Sequence, residues 1–344
     1  MVECSDISII VPVYNGGEAF KQCLESLRPA QADGCEIIVV ADGDTDGSRE
    51  LAQNFGAIVH QFPQPGGPAR ARNAGAQIAQ GTILFFVDAD VVVHPDTVSK
   101  VMQAFAADPD LAALMGSYDD QPQAANFLSQ YRNLLHHYTH QVANQEANTF
   151  WGACGAIRKA IFWQVDGFSE AYRRPMIEDI ELGYRLKAAG YKLALYRDIQ
   201  VKHLKRWEVQ SMIKTDFFSR ALPWTELLLQ RRHLDNDLNL KISARLSVVA
   251  SYGFLLMSML ALVGLFVSLN FFAMTAVLAL ICAALVMALN LPLYCFFNRA
   301  RGFGFMLRCL PWHWFYFLYS GLAFGIGNFK FWYGSWSQAT PHEA

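Results

Sequence analysis

Short apolar runs alternate with amphipathic segments along the first 120 residues of the chain. The apolar runs, at residues 8–13, 36–40, 57–62 and 82–88, have the length and β-branched content of strands. Helical patterns lie at 18–27, 48–56 and 69–81, and another helix is predicted to start near Pro95. Strands that alternate with helices in this way are typical of a parallel sheet with helices on both faces. We therefore expect an α/β fold.

Polar side chains follow the predicted strands where each one ends: Tyr14 and Asn15, Asp42, and the pair Asp88 and Asp90. Ligands of such sheets bind beyond the carboxyl ends of the strands, so we expect these residues to open on one crevice. Asp88 and Asp90 point to the same face of an extended chain, and two like charges repel unless a positive group lies between them. A divalent metal, an arginine or a shared proton would each suffice.

From about Arg245 onward the chain is dominated by apolar residues, and three segments are long enough to cross a membrane. They are Leu246–Leu269, Phe271–Phe297 and Leu310–Phe329, none of which contains Asp, Glu, Lys or Arg. A buried helical hairpin is the alternative. Arg245 precedes the first span, and Arg299, Arg301 and Arg308 fill the loop before the third, so these ends are predicted to be cytoplasmic and the C-terminal tail to lie across the membrane.

Residues 207–232 mix large apolar side chains with basic ones. This pattern predicts a helix, or a pair broken at Pro223, in the headgroup layer, with packing against the globular domain as the alternative. The expected organisation is a cytoplasmic α/β domain at 1–206, interfacial helices at 207–244 and a membrane domain at 245–344. We therefore expect a multi-pass protein of the plasma (inner) membrane.

The composition adds three limits to this picture. The chain of 344 residues is 53% hydrophobic and 17% charged, and its net charge of −2 gives no reason to expect a nucleic-acid partner. Seven scattered cysteines without a CxxC pair favour free thiols in a reducing compartment. The short run ISIIVPV near the N-terminus lacks a preceding Lys or Arg, so a secretory signal is not expected there.

Several motifs carry candidate chemistry. The run DGDTDG at 42–47 starts like a calcium loop but has Gln53 at its twelfth position and a strand before it, so a nucleotide contact is the better interpretation. Gly66 and Gly67 precede a helix that carries Arg70 and Arg72, and backbone N–H groups with guanidinium groups suit a pyrophosphate. Together with Asp88 and Asp90, this favours a metal that neutralises a diphosphate over a shared proton.

Two further segments complete the set. Glu178 and Asp179 begin an amphipathic helix, where carboxylates favour the helix dipole and one can also serve as a general base. Arg206 and Trp207 offer a cation for phosphate and a flat surface for a sugar or lipid. His136 and His140 lie one helical turn apart, a spacing that could ligate a metal, but no acidic or cysteine partner accompanies them, so a solvated or interface helix is the better interpretation.

VPVYNGG, Asp42 with TDGS, ARNAG, DAD, the Glu-Asp pair and HLKRW occur in the order found in family 2 glycosyltransferases, and this resemblance covers roughly residues 6–207. It implies a Rossmann-like GT-A fold, a UDP- or GDP-sugar donor, a Mg²⁺ or Mn²⁺ ion, and inversion at the anomeric carbon. The implied catalytic residues are Asp179 and Glu178, and Asp88 and Asp90 would hold metal, ribose and diphosphate. The other implied site residues are, for the donor, Pro12, Tyr14, Asn15, Asp42, Gly66, Arg72, Arg206 and Trp207, and, near the acceptor, Gly152, Ala153, Cys154 and Gly155.

The chain departs from the family pattern at two places. It has Ala41-Asp42 where many members have two adjacent acids, and His203 occupies the position of the glutamine in Gln-x-x-Arg-Trp. Three spans are also few for a channel that extrudes a polymer. The sequence therefore favours transfer of one sugar to a lipid, such as a polyprenyl phosphate or a glycerolipid. The alternatives are a processive polysaccharide synthase and a non-catalytic nucleotide-sugar-binding membrane protein.

Overall fold

In the computed structural model, which describes residues 2–231 and 236–339, the chain divides into two compact units after Val209. The first unit holds a sheet of eight strands: β1 (Ile7–Val13), β2 (Glu36–Asp42), β3 (Ile58–Phe62), β4 (Ile83–Val87), β5 (Val91–Val93), β6 (Leu111–Tyr118), β7 (Cys154–Arg158) and β8 (Lys192–His203). Its helices are α1 (Gly17–Ala32), α2 (Ser48–Phe55), α3 (Pro68–Ile78), α4 (Thr97–Ala107), α5 (Phe127–Gln141), α6 (Lys159–Gln164) and α7 (Glu178–Ala188).

The strand order is β3-β2-β1-β4-β7-β6-β8-β5. The first four strands in this order run parallel, as the alternating pattern predicted, and their central members β1, β2 and β4 are almost wholly buried. The other half is mixed, because β7 runs antiparallel to both β4 and β6, and β5 runs antiparallel to β8. The α/β class is therefore confirmed, and the sheet is mostly parallel.

The helix predicted to be solvated or at an interface is α5, and it is packed against the sheet. Its apolar residues Leu128, Tyr131 and Leu134 are buried, and His140 is buried as well. His137 Nδ1 lies 2.7 Å from the carbonyl oxygen of Tyr118, and His140 Nδ1 lies 3.1 Å from that of Gly116. The histidines therefore attach α5 to the end of β6.

The second unit is helical. Its elements are α8 (Val209–Lys214), which starts at the boundary, a π-helix (Thr215–Ala221), α9 (Leu222–Arg231), α10 (Ile242–Val267), α11 (Leu269–Leu289), α12 (Leu291–Arg301) and α13 (Phe303–Ala339). Of the two alternatives for this segment, the unbroken helix agrees with the structure: α8, the π-helix and α9 follow one another without a gap, and the irregular stretch is the π-helix just before Pro223.

By length and apolar composition, α10 and α11 qualify as membrane spans within the described part of the chain. Side chains on these two helices are largely exposed, among them Phe266 and Leu269 at 90% and 79%. The predicted second span is divided at Asn290 into α11 and the short α12, and the predicted third span lies inside α13.

Contacts within this unit fix the direction of α13. The Tyr252 hydroxyl donates to the Leu318 carbonyl over 2.6 Å, and Gly321 packs so closely against Tyr252 and Val248 that a Cβ there would clash. Further along α13, Gly327 packs against Thr225 of α9. The second half of α13 is therefore level with the beginning of α10.

Candidate active site

The carboxyl ends of β1, β2 and β4 lie at one edge of the sheet because these strands are parallel neighbours. Tyr14 follows β1 with 57% of its surface exposed. Asn15, at φ 50°, accepts a hydrogen bond from the Thr45 N–H at 2.8 Å, which joins the turn after β1 to the loop after β2. Pro12 lies within β1, in register with Val40.

Asp42, at the end of β2, is buried and holds the loop that precedes α3. Its carboxylate accepts hydrogen bonds from the Gly66 N–H at 2.9 and 3.1 Å and from the Gly67 N–H at 2.8 Å. Gly67 has a φ of 97°, and a Cβ there would lie 2.6 Å from the carbonyl carbon of Arg173. Asp42, which was expected to contact the nucleotide base, therefore fixes the turn at Gly66 and Gly67. The loop before α7 packs against this turn.

Arg72 is the hub that joins the candidate acids. Its buried guanidinium donates to Glu178 Oε1 at 2.9 Å and to Asp88 Oδ1 at 2.7 Å. Burial opposes its charge, but the carboxylates of Asp88, Glu178 and Asp179 raise the pKa of Arg72. An arginine is thus one positive partner of the Asp88–Asp90 pair. With two carboxylates already bound, Arg72 is placed to position acids rather than to reach a diphosphate.

Asp88 and Asp90 remain accessible, with 33% and 37% of their side chains exposed. Burial raises the pKa of Asp88; the Arg72 charge opposes this shift and the Asp90 charge adds to it. For Asp90, burial is outweighed by the hydrogen bond and charge of His203 and by the charge of Lys205, which lower its pKa. The Asp90 carboxylate is therefore held in its ionised form.

These two carboxylates fit a divalent cation that is shared with a substrate. Mg²⁺ takes hard oxygen ligands and is commonly bound by one or two carboxylates together with substrate phosphates. Residues 2–231 and 236–339 contain no group of three or more His, Cys, Asp or Glu side chains that could hold a metal by themselves. The chain therefore offers two ligands here, and the remaining ones would come from a diphosphate and water.

Glu178 and Asp179 open α7 but have different surroundings. Glu178 is buried, pairs with Arg72 through Oε1 and accepts the Met176 N–H at 2.9 Å through Oε2, so both of its carboxylate oxygens have partners within the protein. Asp179 is half-buried and accepts the N–H groups of Gly152 at 3.0 Å and Ile180 at 2.8 Å. Burial and the Glu178 charge raise the pKa of Asp179 to about 6, against the opposing effects of the Gly152 N–H and Arg72. A carboxyl group with this pKa suits a general base near neutral pH.

The segment Gly152–Gly155 lies directly against these acids. A Cβ on Gly152 would be 2.9 Å from the Arg72 guanidinium carbon, and the Asp88 N–H donates to the Ala153 carbonyl at 3.4 Å. Cys154 is buried, which raises the pKa of its thiol to about 12, so it is not a nucleophile. Close backbone packing is therefore what the two glycines of this segment provide.

Trp207 and Arg206 differ in accessibility. Trp207 is 3% exposed, its backbone N–H donates to Ser129 Oγ at 2.7 Å, and Lys205 Nζ lies 4.4 Å from its ring centroid. The exposed Arg206 pairs with Glu208 at 2.8 Å. The Trp207 ring, which was expected to provide a flat binding surface, is thus packed into the domain. Of the two residues, only Arg206 faces solvent.

His203 was singled out in the sequence only because it departs from the Gln-x-x-Arg-Trp motif, but in the structure it lies beside the candidate acids. Its Nε2 lies 3.6 Å from Asp90 Oδ2, and its Nδ1 lies 2.6 Å from Asn133 Oδ1. Strands β5 and β8 pair antiparallel with Val91 opposite His203, which brings the histidine beside the acid. Its place in HLKRW was the available signal, but the partner Asn133 lies 70 residues away in sequence.

Comparisons with known proteins place this geometry in context. Residues 8–166 match the family described as Glycosyl transferase family 2. EpsH of Bacillus subtilis (strain 168) is 30% identical over 245 residues, which are 68% of this chain and 63% of that protein. Validoxylamine A glucosyltransferase of Streptomyces hygroscopicus subsp. jinggangensis (strain 5008) is 26% identical over 259 residues, 63% of this chain and 61% of that protein. A third relative, the glycosyltransferase YibD of Escherichia coli (strain K12), is matched over 33% of its length, so the chain spans between 33% and 63% of these three curated relatives.

Among solved structures, mannosyltransferase PcManGT from Pyrobaculum calidifontis, in complex with GDP-Man and Mn²⁺, superposes with a TM-score of 0.57. The match covers 93% of this chain and 86% of that one at 16% sequence identity. The likeness establishes the fold, which is GT-A-like and is followed by C-terminal helices.

Proposed function

The chain carries a glycosyltransferase family 2 domain, and we propose that it moves one hexose from a nucleotide-diphosphosugar to a membrane lipid, with inversion at the anomeric carbon. The observation that carries this proposal is the placement of Asp179. It is fixed by the Gly152 N–H, and Arg72 links the neighbouring Glu178 to Asp88, the first acid of the accessible pair Asp88 and Asp90. A base and a diphosphate-side acid pair are thus tied together by one buried arginine.

Asp179 accepts the proton of the acceptor hydroxyl while the acceptor oxygen forms a bond to C1 of the sugar. The bond from C1 to the diphosphate oxygen breaks on the opposite face, so the configuration inverts and a nucleoside diphosphate leaves. Asp88 and Asp90 would hold a Mg²⁺ or Mn²⁺ ion, which neutralises charge on the leaving diphosphate. If the acceptor is an ionised lipid phosphate, Asp179 orients it instead of deprotonating it.

A lipid acceptor is supported by the composition of the second unit. Helices α10 and α11 are long and apolar enough to span a membrane, and residues 238–342 contain Lys and Arg but no Asp or Glu. An enzyme anchored in this way meets acceptors in the bilayer. The proposal includes a plasma-membrane location with the catalytic unit on the cytoplasmic side, because cationic flanks remain cytoplasmic.

The direct test incubates purified protein in lipid nanodiscs with Mn²⁺, a panel of UDP- and GDP-sugars and native membrane lipids. Mass spectrometry of the lipid extract should find one lipid species heavier by a single hexose. A ladder of added sugars would instead identify a processive synthase, and donor binding without any turnover would identify a non-catalytic binding protein. The Asp179→Asn protein is the negative control.

A further inference from the structure

Five rings form a cluster behind the candidate site: Tyr118, His136, His140, Trp151 and His203, called here the aromatic cluster. Tyr118 is at its centre. Its ring is stacked on His203 at a centroid distance of 4.3 Å and an angle of 13°, and it meets Trp151 edge-on at 4.7 Å and 87°. Ring pairs in such geometries contribute beyond the area that they bury.

On one side, this cluster supports the acid that faces the diphosphate. His203 lies 3.6 Å from Asp90 through Nε2, and Asn133 holds its other ring nitrogen at 2.6 Å. The stack with Tyr118 fixes the plane of the imidazole ring. Groups that orient a metal-binding carboxylate in this way influence metal affinity although they do not touch the ion.

On the other side, the cluster supports the base. Trp151 directly precedes Gly152, whose N–H donates to Asp179 Oδ2 at 3.0 Å. Besides Tyr118, the half-buried Trp151 ring contacts His140 edge-on at 5.1 Å and His136 at 5.2 Å. A movement of the indole ring would therefore shift the peptide N–H that holds Asp179.

We propose that Tyr118 is a positioning residue that sets Asp90 and Asp179 relative to each other, through His203 on one side and Trp151 on the other. Tyr118 is 8% exposed, so the proposal assigns it no contact with substrate. This inference rests on the proposed function, since it concerns the same two acids. It predicts that removal of the Tyr118 ring changes both nucleotide binding and the chemical step.

The test compares Tyr118→Leu, which removes the ring, with Tyr118→Phe, which keeps it, and with Phe105→Leu, which removes a buried ring outside the cluster. Calorimetry measures the Kd of UDP and of GDP in the presence of Mn²⁺, and a transfer assay measures kcat. We expect Tyr118→Leu to weaken nucleotide binding about 10-fold and to lower kcat by at least about 10-fold. Tyr118→Phe should remain within about threefold of the parent protein, and Phe105→Leu should lower Tm without a change in Kd.

A second variant keeps the inference testable if Tyr118→Leu does not fold. Trp151→Leu removes the ring beside Gly152 and keeps the stack of Tyr118 on His203, so it should lower kcat more than it weakens binding of the Mn²⁺-bound nucleotide. Folded Tyr118→Leu protein with unchanged Kd and kcat would overturn the inference, as would an equal loss of binding in Trp151→Leu or Phe105→Leu. A parent protein that binds neither nucleotide would refute the proposed function itself.

Discussion

Replacement of Asp179 by asparagine should abolish activity and at the same time stabilise the first unit at alkaline pH. The carboxylate is the proposed base, and removal of a positioned base costs about 10²- to 10⁴-fold in rate, which corresponds to roughly 3 to 5.5 kcal/mol. The stabilisation follows from its raised pKa, because a folded protein that keeps this group ionised above pH 6 bears a cost that the amide does not.

The magnitude can be worked out from the pKa. The ordinary value of 3.8 rises to about 6 in the fold. At 1.36 kcal/mol per pKa unit this difference corresponds to at most roughly 3 kcal/mol. The pKa of Asp179 is higher in the folded state than in the unfolded state. Its carboxyl group therefore costs the fold no stability below pH 3.8, where it is protonated in both states, and stability is lost as pH rises through about 6.

The amide keeps only part of the local hydrogen bonding. Asp179 accepts N–H groups from both Gly152 and Ile180, whereas asparagine has one acceptor oxygen, and one lost hydrogen bond costs about 1 kcal/mol. We therefore expect a net gain of about 1 to 2 kcal/mol at pH 8. For a unit of about 200 residues, each kcal/mol shifts Tm by roughly 2 to 4 °C.

The assay follows thermal unfolding and sugar transfer of Asp179→Asn at pH 5 and pH 8, with the exposed Asp110→Asn as the matched control. The Tm advantage of Asp179→Asn should be larger at pH 8, and kcat/KM of the parent protein should fall as pH drops through about 6. A Tm advantage that does not depend on pH, or an asparagine variant with near-normal turnover toward a hydroxyl acceptor, would refute this reasoning.

Three other predictions concern the metal, the buried arginine and the membrane. A chelator should remove transfer activity and Mn²⁺ should restore it, whereas activity that survives chelation would contradict a metal role for Asp88 and Asp90. Arg72→Met leaves Asp88 and Glu178 without their arginine partner, so it should lower the free energy of unfolding by about 3 to 5 kcal/mol, as measured by thermal unfolding. A loss below about 1 kcal/mol would contradict the role of Arg72 as the residue that joins these two acids. Because the second half of α13 is level with the start of α10, cysteines at positions 241 and 330 should be labelled from one side of the membrane and one at position 268 from the other. Labelling of position 330 together with 268 would instead favour the arrangement with three spans.

The parallel half of the sheet could be predicted from the sequence because its strands are continuous apolar runs separated by helical patterns. The elements that run from Leu111 onward were harder to predict, since β6, β7 and β8 pair across long insertions and partly antiparallel. The apolar composition predicted the membrane helices, but it did not predict the residues at which they begin and end. The break at Asn290 accompanies a contact between helices, because the side-chain amide of Asn290 donates a hydrogen bond to Ser247 of α10 at 2.8 Å.

The acids of the site were also predicted from the sequence, because each follows a strand or opens a helix. The sequence could not show which partner each acid has in the fold. Arg72 is separated from Glu178 by 106 residues, and only the fold shows that this arginine binds acids. In the same way, local patterns gave no reason to pair His203 with Asp90, or to place Tyr118 between His203 and Trp151.

The most direct measurement of the central claim is the position of Mn²⁺ in crystals grown with UDP or GDP. Anomalous diffraction at the manganese edge should give one peak within about 2.2 Å of carboxylate oxygens of Asp88 or Asp90, in contact with the diphosphate and on the same crevice as Asp179. A manganese peak elsewhere in the chain, or a nucleotide bound away from these carboxylates, would contradict the account.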